Sequence, residues 1–471
     1  MGGMGDPARG PQDAGRPRAA PIRVDGVRRG RARAARIPEF RGRDRDASIL
    51  RPRIAQSCRF RRYLHPVASI PTVPAVVTAL NLNGLGVARA LGRRGVPVYA
   101  VHTGGEDGPE LRTRHVREVW RPSPGQSLVE LLLERGRAFG ELRPVLLPIT
   151  DESVEAVAHA RDRLASRYRI PMGDPRVVLR QLSKEGVAEA AAKHGMPVPA
   201  TRACATREEL EVALRALRAP YILKPQDKSE AYARSGAKKA YRLETADEVH
   251  ATYASFSALE PRVVLQEFIP GTDADVWFCL LAMGRSGKPL ASFVGHKIRQ
   301  WPPHCGGTSS CEPAKADELV GLSVGYFGKV GLRGPGSIEF KRDPRDGRFY
   351  MIEPTVCRTD WQSAVADDNG VPIPYFVWCD ETDTPLPALR PNRLRWRWVH
   401  LNSDRRSADY YRGRGELGFW SWLWSIRPPV RPAYFAIDDP GPALSIAVDG
   451  IRRVCRKLGR LVGLSSRASV P

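Results

Sequence analysis

The sequence predicts an α/β protein: a small doubly wound domain, a module that mixes helices with longer strands, and a tryptophan-rich C-terminal segment. Three observations carry this reading. Apolar strands and amphipathic helices alternate from Ala75 onward, as βαβ units require. Short helices and strands keep alternating to residue 260, and mostly strands follow to 385. The run SIEFKRDPRDGRFYMIEPT then reads as a β-hairpin that sets Glu339 opposite Glu353.

Residues 1–70 are rich in Arg, Gly, Pro and Ala without sustained periodicity and are expected to be disordered. They carry a net charge of +11, nearly half of the +23 of the whole chain. The remaining charge is spread without a basic block and no nucleic-acid-binding motif accompanies it, so nucleic acid is not an expected partner. No run of about eighteen apolar residues predicts a transmembrane helix, and the charged N-terminus lacks an apolar signal core. The eight cysteines show no paired spacing, which fits reduced thiols in a cytoplasm.

In the doubly wound domain, residues 71–180, AVVTAL reads as a buried strand, NLNGLG as a turn, VARALGRRG as a helix, and VPVYAV and PVLLPIT as strands. DESVEAVAHARDRLASRY is expected to be a helix with Asp151 as its N-cap. Gly84-Leu85-Gly86 imitates a dinucleotide fingerprint, but His102 stands where a ribose-binding acid would end the second strand, so close strand-to-helix packing is its expected role. Residues 181–260 alternate short helices with the strands PYILKP and KAYRLE; between these lies QDKSEAYARSGAK, a polar, basic loop suited to cover phosphates. Residues 261–385 supply VVLQEFI, DVWFCLLAM, LASFVGHKI and the hairpin. Residues 386–471 hold five closely spaced tryptophans and an amphipathic helix around SIAVDGIRRVCRKLGRLVG. That helix is expected to cap the protein's own core, with peripheral contact to an anionic membrane as the alternative.

The hairpin carries the most chemistry. A three-residue loop Arg345-Asp346-Gly347, with Gly347 left-handed, places Glu339 directly across from Glu353. Like charges there repel, and a hard divalent cation shared by both carboxylates removes the repulsion. Two solvated glutamates, or a register slipped by one residue, are the alternatives.

Other residues join this pair in order along the chain. Lys184 opens a helix, Lys224 ends a strand before the polar loop, Gln266 to Gly271 form a strand-end linker, and Asp273 follows. His296, Lys297 and Arg299 cluster before the turn Gly306-Gly307-Thr308-Ser309. In order and spacing the set, over about residues 73–385, resembles the ATP-grasp superfamily, and within it the predicted carboxylate–amine ligases that include D-aspartate ligase-like enzymes. The resemblance implies an α+β ATP-grasp fold: a Rossmann-like domain at 71–180, a lid subdomain at 181–260, a metal-bearing large subdomain at 261–385, and the tryptophan-rich remainder. It implies ATP and Mg²⁺, with Lys184 and Lys224 on the phosphates, Glu267 and Ile269 on the adenine, Asp273 on the ribose, and Glu339, Glu353 and Thr355 on the metal. Lys297, Arg299 and Arg358 become the catalytic cations.

One departure stands out. The superfamily's last metal motif commonly reads E-x-N-x-R, whereas this chain has EPTVCR: Thr355 takes the Asn position and Arg358 falls one place late. The expected activity is ligation of a small carboxylate to an amine through an acyl phosphate, by a possible homodimer. An ATP-grasp kinase or carboxylase, or an ATP-binding regulator without chemistry, are the alternatives.

Overall fold

The computed structural model describes residues 73–103, 105, 107–226, 240–304, 306–389 and 395–461, with side chains to 455. The expected disorder of 1–70, and the polar loop 226–238 apart from Gln226, lie outside the described residues. All described residues belong to one compact unit, Pro66–Pro471.

Three sheets organise it. The first is parallel, in the order β3-β2-β1-β4: β1 Ala75–Val77, β2 Val98–Val101, β3 Glu118–Trp120 and β4 Val145–Leu147. β1 and β4 are buried throughout, which is why they read as unbroken apolar runs. The helix Leu82–Gly92 begins where the sequence suggested a turn, because Asn81 caps it by accepting from the Gly84 N–H at 3.0 Å. Gly84 is required there: a Cβ would sit 2.0 Å from the Ala79 carbonyl oxygen. The next predicted helix is capped by Thr150 rather than Asp151 and breaks at Ala160, giving Asp151–His159 and Arg161–Ala165.

The second sheet is antiparallel, β5-β8-β6-β7: β5 Thr201–Cys204, β6 Tyr221–Pro225, β7 Tyr241–Leu243 and β8 Val263–Glu267. The helices Arg207–Ala216 and Ala246–Phe256 share with it a separate core around Leu210, Leu223, Val249 and Leu265.

The third sheet has seven strands in the order β13-β12-β9-β10-β11-β14-β15. They are β9 Val276–Met283, β10 Pro289–Trp301, β11 Gly307–Pro313, β12 Gly334–Arg342, β13 Phe349–Val356, β14 Arg397–Val399 and β15 Val430–Pro432. Along β9, Phe278, Leu280 and Ala282 join the core built on β1 and Leu91, while Cys279, Leu281 and Met283 join the one built on Phe327 and Ile338. Both faces are covered, so the strand is apolar throughout.

Residues after 386 are not an appendage: β14 and β15 extend this sheet. Glu312 on β11 accepts from Arg397 on β14 at 2.8 Å and pairs with His296 at 3.2 Å. Buried Asp439 pairs with Arg89 of the helix Leu82–Gly92 at 2.8 Å. The final helix, Gly441–Leu461, is exposed at Leu444, Ile451 and Val454, so among its described side chains little beyond its start covers the core. No described helix is long and apolar enough to cross a membrane.

Candidate functional site

The hairpin delivers the predicted pair by a different route. Its loop has four residues, 344–347, closed by the Asp343 N–H donating to Arg348 O at 2.8 Å, with Gly347 left-handed at φ 72°. That loop alone would put Glu339 out of step with Glu353. A bulge restores the match: Phe340 pairs with Met351 but Glu339 pairs with Glu353, leaving Ile352 as the extra residue.

Ser337, Glu339 and Lys341 share one face of β12, while Ile338 and Phe340 enter the core. The polar face forms the floor of a cleft of about 670 Å³ between the second and third sheets and the end of the first. Lys297, Glu339, Glu353, Thr355, Arg358, Glu267 and Ile269 all line it.

Within the cleft Glu339 is held between cation and amide. Its Oε2 accepts from the Lys297 Nζ at 3.0 Å and its Oε1 from the Gln362 Nε2 at 2.9 Å. The Glu353 carboxylate, opposite, makes no hydrogen bond or ion pair among the described residues. Burial raises its pKa above the ordinary glutamate value, and the charges of Glu339, Asp360 and Asp151 push the same way against Arg358. Arg358 reaches Asp151 at 2.6 Å and Asp360 at 2.9 Å, and Thr355 donates to Asp360 at 3.3 Å.

Among the described residues no three His, Cys, Asp or Glu side chains converge as a ready metal centre. Yet two facing carboxylates, one of them unpartnered, and a hydroxyl form a hard oxygen set that suits Mg²⁺. Glu339, Glu353 and Thr355 therefore fit such an ion.

Lys224 and Lys184 do not line the cleft, but they are close enough for one to act on the other. Burial first, then the Lys184 charge, lowers the Lys224 pKa. Lys224 lies two residues from Ile222, which does line the cleft, on the same face of β6. Its ammonium has no hydrogen bond or ion pair among the described residues.

The linker is usable only in part. The Glu267 carboxylate is committed to Arg218, with 3.1 Å between Oε2 and Nη2, and its N–H donates to Ala200 O. The Phe268 N–H donates to Pro220 O. Ile269 is the first linker residue whose N–H has no acceptor among the described residues.

Besides the two lysines, two further expected residues are not in the cleft. Asp273 is buried; its Oδ2 accepts from Gln300 N at 3.0 Å and its Oδ1 from Gln300 Nε2 at 2.9 Å, so it anchors the strand end and has no free oxygen for a ribose. Arg299 is buried in a bidentate pair with Asp404, at 2.9 and 2.8 Å, and donates to Ser425 at 2.7 Å. Simple alternation would put Lys297 and Arg299 on one face. A register shift between them turns Arg299 away, and the next shift brings Gln300 back to the cleft.

Sequence reasoning missed Asp360, Gln362 and Lys341, which line the cleft beside the expected residues. Lys341, two places after Glu339 on one strand face, was detectable from the period of two. Asp360 and Gln362 sit in a segment tied down at Thr359, whose carbonyl accepts from Asn83 Nδ2 while its hydroxyl donates to Asn83 Oδ1. No local pattern announces such a contact.

No family model matches the chain. A D-alanine–D-alanine ligase of Delftia acidovorans is 27% identical over 285 residues, covering 58% of this chain and 76% of the ligase. The solved ADP complex of an N5-carboxyaminoimidazole ribonucleotide synthetase superposes with a TM-score of 0.52 at 14% identity, over 72% of this chain and 87% of that one. A biotin carboxylase–ATP complex from Campylobacter jejuni gives 0.50 at 16% identity, over 67% and 72%.

Proposed function

We propose that this chain, which has the ATP-grasp fold, is an ATP- and Mg²⁺-dependent ligase that joins a small carboxylic acid to an amine through an acyl phosphate. One observation carries the proposal: the unpartnered Glu353 carboxylate faces Glu339 in a cleft that also holds Lys297 and Arg358. The Delftia relative is a D-alanine–D-alanine ligase, and both structural neighbours were solved as complexes with an adenine nucleotide.

In this reading Lys224 and Lys184 meet the phosphates as point cations, and the Ile269 N–H meets the adenine edge. Glu339, Glu353 and Thr355 hold Mg²⁺, which neutralises charge on the phosphate oxygens. A substrate carboxylate oxygen attacks the γ-phosphorus as the bond to the ADP oxygen breaks. The neutral amine then attacks the acyl carbon, inorganic phosphate leaves with the former carboxylate oxygen, and the extra amine proton passes to solvent. Lys297 and Arg358 stabilise the negative charge that builds at the acyl centre. Asp273 and Arg299 have no part in it.

Hydroxylamine tests the intermediate. With ATP, Mg²⁺ and a productive acid, it should replace the amine and yield a hydroxamate with stoichiometric ADP. ADP without hydroxamate would support kinase or hydrolase chemistry instead. A purely regulatory ATP site predicts nucleotide binding with no ADP at all.

A further inference from the structure

A second cavity, of about 330 Å³, lies at the opposite end of β12 from the glutamates. Gly334 borders it and Glu339 stands five residues further along, roughly 17 Å away at strand spacing. Five arginines line it, Arg143, Arg161, Arg169, Arg285 and Arg333, against a single carboxylate, Glu381. They come from separate parts of the chain, so sequence gave no sign of them together. Tyr168, Ile170 and Met172 provide buried apolar wall.

Among the described residues the protein satisfies these cations only in part. The Nε atoms of Arg161 and Arg169 are buried with no hydrogen-bond partner. Arg161 makes only a long contact, 3.4 Å, to the Gly173 carbonyl oxygen. The Arg333 guanidinium has no partner among the described residues. Arg143 spends its donors on the carbonyls of Ala165 and Tyr168, and Arg169 donates to that of Glu381, so neither loses charge. Among the described residues, Arg285 alone of the five is paired with carboxylates, those of Asp380 and Asp383. Like charges gathered around an apolar-walled hollow repel unless an anion joins them, and guanidinium forks match carboxylate and phosphate oxygens.

We propose that this cavity is a binding site for a small, multiply charged oxyanion, either phosphate-bearing or polycarboxylate, separate from the nucleotide cleft. Its size is at the lower end for small-molecule sites, about 300–1,000 Å³. Occupancy has a path to the cleft: Cys357, which precedes Arg358, donates from Sγ to the Arg333 carbonyl oxygen at 3.7 Å.

Calorimetric titration of the full chain with inorganic phosphate, and separately with citrate, tests the proposal at low salt. The Lys224→Ala variant serves as background, since in the proposed function it removes a cation that meets the nucleotide phosphates. At least one of the two anions should bind saturably. Arg333→Gln and Arg161→Gln should each raise its Kd at least tenfold, and Lys224→Ala should leave it within twofold. Which anion binds more tightly identifies the ligand class. Arg333 is exposed at the rim, so its variant should keep the wild-type melting temperature and reports even if Arg161→Gln fails to fold. Failure of both anions to saturate, an unchanged Kd in Arg333→Gln, or loss of binding in Lys224→Ala would each overturn the assignment.

Discussion

Glu353 faces Glu339 across β13 and β12, and while Glu339 is held by Lys297 and Gln362, Glu353 has no partner among the described residues and a raised pKa. A carboxyl whose pKa is raised by folding costs stability once pH exceeds that pKa, and the cost vanishes as pH falls through the ordinary value of 4.5. Glu353→Gln is therefore expected to raise the metal-free melting temperature at pH 7, with the gain fading toward pH 4.5. The same variant should weaken Mg²⁺–ATP binding at least tenfold. Calorimetry and thermal melts with and without Mg²⁺ read both effects; a stabilised variant that still binds Mg²⁺–ATP normally would remove Glu353 from the metal site.

Lys224 gives a pH signature. Burial and Lys184 lower its pKa, so its charge is lost at lower pH than for a free lysine. ATP affinity should decline with rising pH before the ordinary value of 10.5 is reached, and Lys184→Ala should move that decline upward. Lys224→Ala should bind ATP at least tenfold more weakly and show no such step.

Asp404 tests the reassignment of Arg299. Asp404→Ala leaves a buried guanidinium without its carboxylate, which costs about 3–5 kcal/mol. Unfolding midpoints should fall accordingly while the nucleotide Kd of the folded fraction stays put. Lys297→Ala should do the reverse: lost turnover with a modest change in stability.

Glu312 ties β11 to β14. Its hydrogen bond to His296, with help from Arg397 and against the penalty of burial, holds its pKa down at about 2. A depressed carboxyl stabilises the fold above its unfolded value of 4.5 and loses that contribution as pH falls toward 2. With solvent screening of this half-buried pair discounted, Glu312→Gln should cost at most roughly 2 kcal/mol at neutral pH, and the gap to wild type should close in acid denaturation series.

The fold class was legible because both signals it needs are local. Buried strands such as Ala75–Val77 and the doubly covered β9 are apolar runs that any window detects. The glutamate pair was legible too, though by a compensation: the loop is one residue longer than Arg345–Gly347, and the bulge at Ile352 cancels the slip. Arg299 and Asp273 were misplaced for one reason. Bulges and tertiary carboxylate–amide contacts decide which face a side chain takes, and neither leaves a mark within a few residues of sequence. The place of β14 and β15 in the large sheet was likewise hidden, since strands of three residues carry little periodicity.

Catalysis in the cleft between the second and third sheets, as proposed, is measured most directly by ADP release. Purified full-length protein, given Mg²⁺–ATP and pooled small carboxylates with pooled amines, should release ADP only when an acid is present, faster when an amine is added, and not at all as Glu353→Gln. ADP release that ignores the acid, or that survives in Glu353→Gln at the wild-type rate, would contradict it.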